Sequence, residues 1–335
     1  MFLHLVHFQY AKSTDSRSEQ AYWGIVVPNE RQSSLGDTIN ILPKNYASTA
    51  ELLADKKTIL GLSEHDVSEL QQVNVSDVKV LSPIIGNKRV ICQGANYRQH
   101  MIDSGMNPDS KKFNMIFNKS CASISAPNTD IVRPQKVKLL DYEVELTLVL
   151  GKEVTESVVV GEHNLHEYVA GICIGNDVSA RDIQIPQMQF FKGKSYRTFC
   201  PLGPILCLLE KEDMSYLDEM KLALSVNGEV RQCDYTSELV YRPAQTLTEL
   251  SQISDFSPGD VVMTGTPSGC ALGIPSPLLV KVAALLPEAK KWSLFIKGQS
   301  KRAQYLKHGD QVRTTIVSRD GKVNLGEQVN RVVSA

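Results

Sequence analysis

Leu139-Leu140-Asp141-Tyr142-Glu143-Val144-Glu145-Leu146-Thr147-Leu148-Val149-Leu150 is the stretch whose reading decides the fold. Tyr142, Val144, Leu146, Leu148 and Leu150 alternate with the residues between them, the period-2 pattern of a strand with one core face. Glu143 and Glu145 then share the opposite face, one pleat apart and pointing the same way. Like charges held that close repel, and a cation between them removes the penalty. This strand is therefore where chemistry is to be sought.

Outward from it, strand-like runs recur at residues 90–92, 168–174, 221–226, 261–264 and 311–316. Gly, Pro, Asn and Asp clusters separate them, and few helical patterns of convincing length intervene. The pattern predicts an α+β, β-rich fold with a mostly antiparallel core and short helices, not a doubly wound α/β sheet. Near Ser82-Pro83 the character of the chain changes. Residues 1–82 read as a small N-terminal α+β unit, with strands at 3–8 and 22–27 and a helix around 47–56. Residues 83–335 read as a larger unit, and a chain of 335 residues is more than one core usually serves.

Lys+Arg 36 against Asp+Glu 37 leaves a net charge of -1, which offers no electrostatic footprint for nucleic acid or an anionic membrane surface. No apolar run approaches the length of a membrane span. The opening Met1-Phe2-Leu3-His4-Leu5-Val6-His7-Phe8 reads as a first strand rather than a signal peptide. Seven scattered cysteines without a CxxC pair read as reduced thiols of a cytoplasmic protein, and their spacing predicts no zinc site. Without a secretion signal, the glycosylation patterns Asn74-Val75-Ser76 and Asn118-Lys119-Ser120 carry no weight.

Further groups surround the glutamate pair in this reading. The run at 168–174 leads into Gly175-Asn176-Asp177-Val178-Ser179-Ala180-Arg181-Asp182. Asp177 either supplies a third oxygen ligand or, with Asp182, caps a turn or pairs with Arg181. Three carboxylates without Cys or His favour Mg²⁺, Mn²⁺ or Ca²⁺ over zinc or copper. In Gly94-Ala95-Asn96-Tyr97-Arg98-Gln99-His100-Met101-Ile102-Asp103, one helical turn places His100 beside Asp103, as a general-base pair or as a surface hydrogen bond. Lys194, in Lys192-Gly193-Lys194-Ser195, is either a partly buried cation suited to a carboxylate or enolate, or a solvated loop lysine. Gly265-Thr266-Pro267-Ser268-Gly269 is either an anion-binding turn or only a turn.

Taken in order, these segments resemble the fumarylacetoacetate hydrolase family. The resemblance rests on Gly94-Ala95-Asn96-Tyr97 with His100, Asp141-Tyr142-Glu143-Val144-Glu145-Leu146, Asn176-Asp177-Val178-Ser179-Ala180-Arg181-Asp182, Gly193-Lys194-Ser195 with Cys200-Pro201-Leu202-Gly203-Pro204, and Gly265-Thr266-Pro267-Ser268-Gly269, and a closing Leu325-Gly326-Glu327-Gln328-Val329-Asn330. It covers roughly residues 85–335, while the first 80 resemble the small N-terminal domain of longer members. The resemblance implies a β-rich catalytic domain of mixed sandwich or roll type, a homodimer, and one Mg²⁺ or Mn²⁺ (Ca²⁺ also suits) held by Glu143, Glu145 and Asp177. It implies that Lys194 stabilises negative charge, that His100 with Asp103 activates water under a lid, and that Thr266 holds a substrate carboxylate. Gly265, Tyr97, Arg98 and Gln184 are the further implied substrate contacts.

The implied reaction is hydrolysis of a carbon–carbon bond in a 2,4-dioxo acid such as an acylpyruvate or fumarylpyruvate. Enolate stabilisation serves decarboxylation or tautomerisation of oxaloacetate-like acids equally. Two departures stand out. Hydrolytic relatives commonly carry Glu where this chain has Asp103. An insertion at residues 271–304 follows the Gly-Thr-Pro turn, with an apolar helix expected at 278–286 and a strand at 292–296; it either shapes substrate choice or forms a dimer contact. The polar segment 107–112 reads as a mobile lid.

Overall fold

A computed structural model describes residues 2–11, 20–27, 35–110, 112–273, 281 and 283–335. The decisive stretch is two strands rather than one. Leu140–Asp141 pairs with Ser179–Ala180, and Val144–Leu150 pairs with Val169–Asn176 and Val261–Met263. Between them, at Tyr142 and Glu143, side chains replace ladder partners: the Tyr142 N–H donates to Asp141 Oδ1 and the Glu143 N–H to Asn176 Oδ1. Every residue of Val144–Leu150 is buried, so the face that carries the glutamates is an interior face.

That strand lies within an eleven-stranded sheet. Its path runs Gln72–Asn74, Thr38–Ile41, Ala21–Val26, Leu3–Tyr10, Ile205–Leu208, Val169–Asn176, Val144–Leu150, Val261–Met263, Val90–Gly94, Met115–Lys119, with Val78–Leu81 also paired to Leu3–Tyr10. All pairs are antiparallel except Val261–Met263 with Val90–Gly94. A five-stranded sheet, Glu229–Tyr235, Met220–Val226, Gln311–Ser318, Asn324–Ser334 and Ile131–Arg133, packs on one face. There Leu222, Leu224, Val312, Ile316 and Val332 share a core with Leu146, Leu148 and Ile172. Alternate residues of the same strands, Val149, Cys173, Leu206 and Leu208, enter a second core with Leu52, Leu53, Ile59 and Leu60. The sheet is thus covered on both faces, as the apolar strand compositions require.

The second core explains the first 82 residues. Ser48 caps the helix Thr49–Ala54 through the Glu51 N–H, and a second short helix, Lys56–Leu60, follows. Their apolar sides press on the large sheet, while Leu3–Tyr10 pairs directly with Ile205–Leu208. One sheet therefore crosses the change of character at residue 82.

In the insertion, 292–296 is not a strand. It lies within the helix Glu288–Gln299, with Phe295 packed on the main core and Leu294 exposed. Part of the expected helix at 278–286 falls outside the described residues, and Leu285 is exposed. All seven cysteines are unpaired. No helix among the described residues is long and apolar enough to cross a membrane.

Candidate active site

Strand ends deliver the site. Glu143 and Glu145 flank the first residue of Val144–Leu150, Asp177 follows the last residue of Val169–Asn176, and the Asp177 N–H donates to the Glu143 carbonyl at 2.8 Å. One oxygen from each of Glu143, Glu145 and Asp177 lies within 4.8 Å of the others, and all three residues are buried. Three buried cations balance them. Lys194 Nζ lies 2.5 Å from both Glu143 Oε2 and Asp177 Oδ2. Lys119, fully buried, donates to Asp177 Oδ1. Arg181 donates to Glu143 Oε1 and, through Nε at 2.8 Å, to Asp141.

The electrostatics divide the carboxylates. Burial works against the charge of Glu143, but Arg181 and Lys194 outweigh it and hold its pKa well below the carboxylate range. Glu145 Oε2 accepts the Gly265 N–H at 2.8 Å. Burial, then the charges of Asp177 and Glu143, push its pKa well above the ordinary value. Burial also opposes the charge on Lys194, yet Asp177 and Glu143 raise its pKa and keep it an ammonium. A buried carboxylate driven towards protonation beside two others is an arrangement that a divalent cation relieves, and an all-oxygen donor set suits a hard ion. The residues fit such an ion.

His100, on the short helix Arg98–Asp103, faces this cluster across a cavity of about 190 Å³ lined also by Glu143, Glu145, Arg181, Gln184 and Lys194. Burial lowers its pKa below 6.5 despite the opposing charge of Glu143, so the imidazole is neutral at pH 7. The expected partner is elsewhere: Asp103 is exposed, accepting Gln99 Nε2 at 2.8 Å and the Ser268 hydroxyl. The structure does not bring His100 and Asp103 together as a hydrogen-bonded pair.

The other expected contacts sort clearly. Gln184 lines the cavity and accepts Arg181 Nη1 at 2.8 Å. Thr266 also lines it, but its hydroxyl donates to the Val144 carbonyl at 2.8 Å and accepts Gln232 Nε2, so it locks the turn to the strand instead of reaching for a carboxylate. Gly265, an expected substrate contact, instead gives its N–H to the Glu145 carboxyl group. Its φ of +91° and the 2.8 Å from a built Cβ to Asn96 Cβ require glycine there. Tyr97 is fully buried in the core, its hydroxyl without a hydrogen-bond partner. Arg98 is exposed and pairs at 2.6 Å with Asp109, pinning the 3₁₀ turn Pro108–Ser110 of the expected lid; Lys111 lies outside the described residues.

Sequence reasoning missed Lys119, which sits inside the tripeptide dismissed as a glycosylation pattern. It also missed the joint hold of Arg181 on Asp141 and Glu143. Lys119 closes the strand Met115–Lys119, whose inward-facing positions are otherwise unremarkable; a lysine terminating a strand is the only local signal. Asp182, rather than pairing with Arg181, accepts the Lys138 N–H at 2.8 Å and the Leu139 N–H.

Residues 89–333 match the family described as Fumarylacetoacetate (FAA) hydrolase C-terminal. The chain is 36% identical over 211 residues to "Oxaloacetate tautomerase YisK" of Bacillus subtilis, spanning 62% of this chain and 68% of that protein. It is 33% identical over 246 residues to "Oxaloacetate tautomerase Fahd2a, mitochondrial" of Rattus norvegicus, spanning 72% of this chain and 74% of that protein. Among solved structures, a fumarylacetoacetate hydrolase from psychrophilic Exiguobacterium antarcticum superposes with a TM-score of 0.72 at 26% identity, covering 99% of this chain and 100% of that one.

Proposed function

Because the chain belongs to the fumarylacetoacetate hydrolase family, we propose that it is a divalent-metal-dependent enzyme interconverting the keto and enol forms of a short 2-oxo diacid of the oxaloacetate type. The observation that carries this reading is the turning of Asp103 away from a neutral His100. An imidazole whose expected partner Asp103 is bound elsewhere can take a proton from a carbon beside a carbonyl, but lacks the group expected to assist water activation. The similar relatives named as oxaloacetate tautomerases support it.

Glu143, Glu145 and Asp177 would hold Mg²⁺ or Mn²⁺, with Ca²⁺ also suited to the oxygen donors; when bound, the ion supplies Lewis-acid stabilisation of the charge on the 2-oxo oxygen. The chain's own groups do the rest. His100 accepts the C3 proton as the C3–H electron pair becomes the C2=C3 bond and the C2=O π pair moves onto oxygen; a proton taken up by that oxygen completes the enol, and in the reverse direction the oxygen loses its proton as His100 returns one to C3. Lys194, held charged by Glu143 and Asp177, offers an N–H to the oxygen on which charge develops. Arg181 keeps Glu143 ionised.

Hydrolysis of a 2,4-dioxo acid is the second reading, favoured by the full-length likeness to a fumarylacetoacetate hydrolase. The deciding experiment follows loss of oxaloacetate enol absorbance and cleavage of acylpyruvates and fumarylpyruvate, each with Mn²⁺ and with EDTA. Metal-dependent enol loss with negligible cleavage is the expected result. Efficient cleavage without tautomerisation would overturn the first reading in favour of the second.

A further inference from the structure

We propose that His100, Glu143 and Cys270 form a second cation site, for a soft divalent ion of the zinc type, sharing Glu143 with the hard site. One ligand atom from each, an imidazole nitrogen, a carboxylate oxygen and a thiol sulfur, lies within 4.8 Å of the other two. Mixed nitrogen, oxygen and sulfur donors select zinc-like ions, whereas the all-carboxylate set beside them selects hard ones. Cys270 Sγ lies 3.8 Å from Glu143 Oε1. The corresponding edge of a tetrahedron built on zinc–sulfur and zinc–oxygen bonds of about 2.3 and 2.0 Å is about 3.5 Å.

Glu143 is disposed to serve both ions. Its Oε2 faces Lys194, which also contacts Asp177 on the hard-site side, while its Oε1 faces Cys270. Arg181 also touches Oε1, but its Nε on Asp141 and Nη1 on Gln184 anchor it if that contact is given up. Cys270 is buried, and its weak contact from Gln232 Nε2 at 3.6 Å is dispensable, because Gln232 also donates to Thr266 and the Pro267 carbonyl. The proposed reaction leaves this thiol unused. Binding replaces the S–H bond with a sulfur–metal bond and releases the proton to solvent. Three protein ligands leave a fourth position open, and coordination removes the His100 lone pair from proton transfer, so the ion inhibits. That last consequence rests on the tautomerase reading; the binding does not.

The test uses full-length protein saturated with Mg²⁺, with the exposed Cys121 and Cys233 replaced by Ser. Titration with Co²⁺ is expected to give a thiolate-to-metal charge-transfer absorption saturating at one ion per chain, and Cys270→Ala is expected to abolish it. In parallel, Zn²⁺ is expected to inhibit Mg²⁺-supported turnover at a concentration at least about tenfold lower in the parent than in Cys270→Ala, about 1.4 kcal/mol of lost affinity. Cys270→Ser provides a second variant should Ala not fold. Absence of the band in the parent, or its survival in a folded Cys270 variant, overturns the site. A band that appears without differential inhibition sustains the site and counts against the role of His100. Should no substrate be turned over, the absorption alone decides the binding proposal.

Discussion

At His100 the local physics makes a directional prediction. Its lowered pKa means that the neutral form persists below pH 6.5 and is lost only as pH falls through the lowered value. The acid limb of kcat/KM for enolisation is therefore expected below pH 6.5, measured as a pH profile of enol loss. Replacing His100 by Asn should reduce kcat/KM by about 10²–10⁴-fold, while the rise in Tm on adding Mn²⁺ is retained. Asp103→Asn should cost less than about tenfold; a loss as large as that of His100→Asn would restore the water-activating pair. Lys119 makes a different case. Removing one partner of a buried ion pair costs about 3–5 kcal/mol, and Lys194, which also holds Asp177, puts Lys119→Met near the lower end. The Tm deficit of Lys119→Met should be larger in EDTA than in Mn²⁺, since a bound cation replaces the missing charge; an equal deficit in both would detach Lys119 from the metal site. These residues also show what was readable from sequence. Glu143 and Glu145 announce themselves because strand periodicity is a property of neighbouring residues. Lys119 depends on which distant group its side chain meets, and Asp103 on the distant Ser268 as well as on the nearby Gln99, and nothing within a few residues of either encodes the distant partner.

The insertion behaves as an element clasped at its base. Gln299, buried near the end of Glu288–Gln299, donates to the Gly273 carbonyl at 2.7 Å and accepts both the Gly273 N–H and the Tyr305 hydroxyl. Arg302 Nε donates to the Ala271 carbonyl, while the Ala271 and Leu272 N–H groups bind Asp141. Leu272 lines the cavity, so the helix is tied to the wall of the site by a few hydrogen bonds. Gln299→Ala leaves buried groups unpaired and should cost about 1–3 kcal/mol of stability, with KM for the oxo acid rising more than kcat falls. Thermal melts and steady-state kinetics check it, and an unchanged KM would make the clasp irrelevant to the substrate. The reading of 292–296 as a strand failed because a five-residue apolar run fits either period; the decision belongs to the faces it packs against. Longer patterns fared better: the runs at 221–226 and 311–316 lie within the strands Met220–Val226 and Gln311–Ser318.

On the scale of the whole molecule, acid sensitivity is built into the seam between the N-terminal strand and the rest. His4 is buried, and burial lowers its pKa to about 4, with its Nε2 accepting the Asn324 N–H. The unfolded chain binds this proton near the ordinary 6.5 and the native chain only near 4, so the unfolded state holds more protons between those values. Stability is full above 6.5 and falls by up to about 3 kcal/mol as pH drops towards 4. The urea midpoint should fall between about pH 7.5 and about pH 5, and less so in His4→Gln; equal slopes would place the sensitivity elsewhere. The division read at residue 82 rests on a shift in composition alone, and one sheet runs across it. The pairing of Leu3–Tyr10 with Ile205–Leu208 was not legible, because no local pattern names a partner so far along the chain. That pairing has a consequence in time. His4 lies opposite Cys207, so during synthesis the first strand emerges roughly 10–40 s before its neighbour at the usual rate of about 5–20 residues per second. The hairpin with Ala21–Val26 covers the opposite edge, so through that interval the edge that will take Ile205–Leu208 must be shielded by a chaperone or by the ribosome itself, and growth of the nascent chain sets when the central sheet can first close.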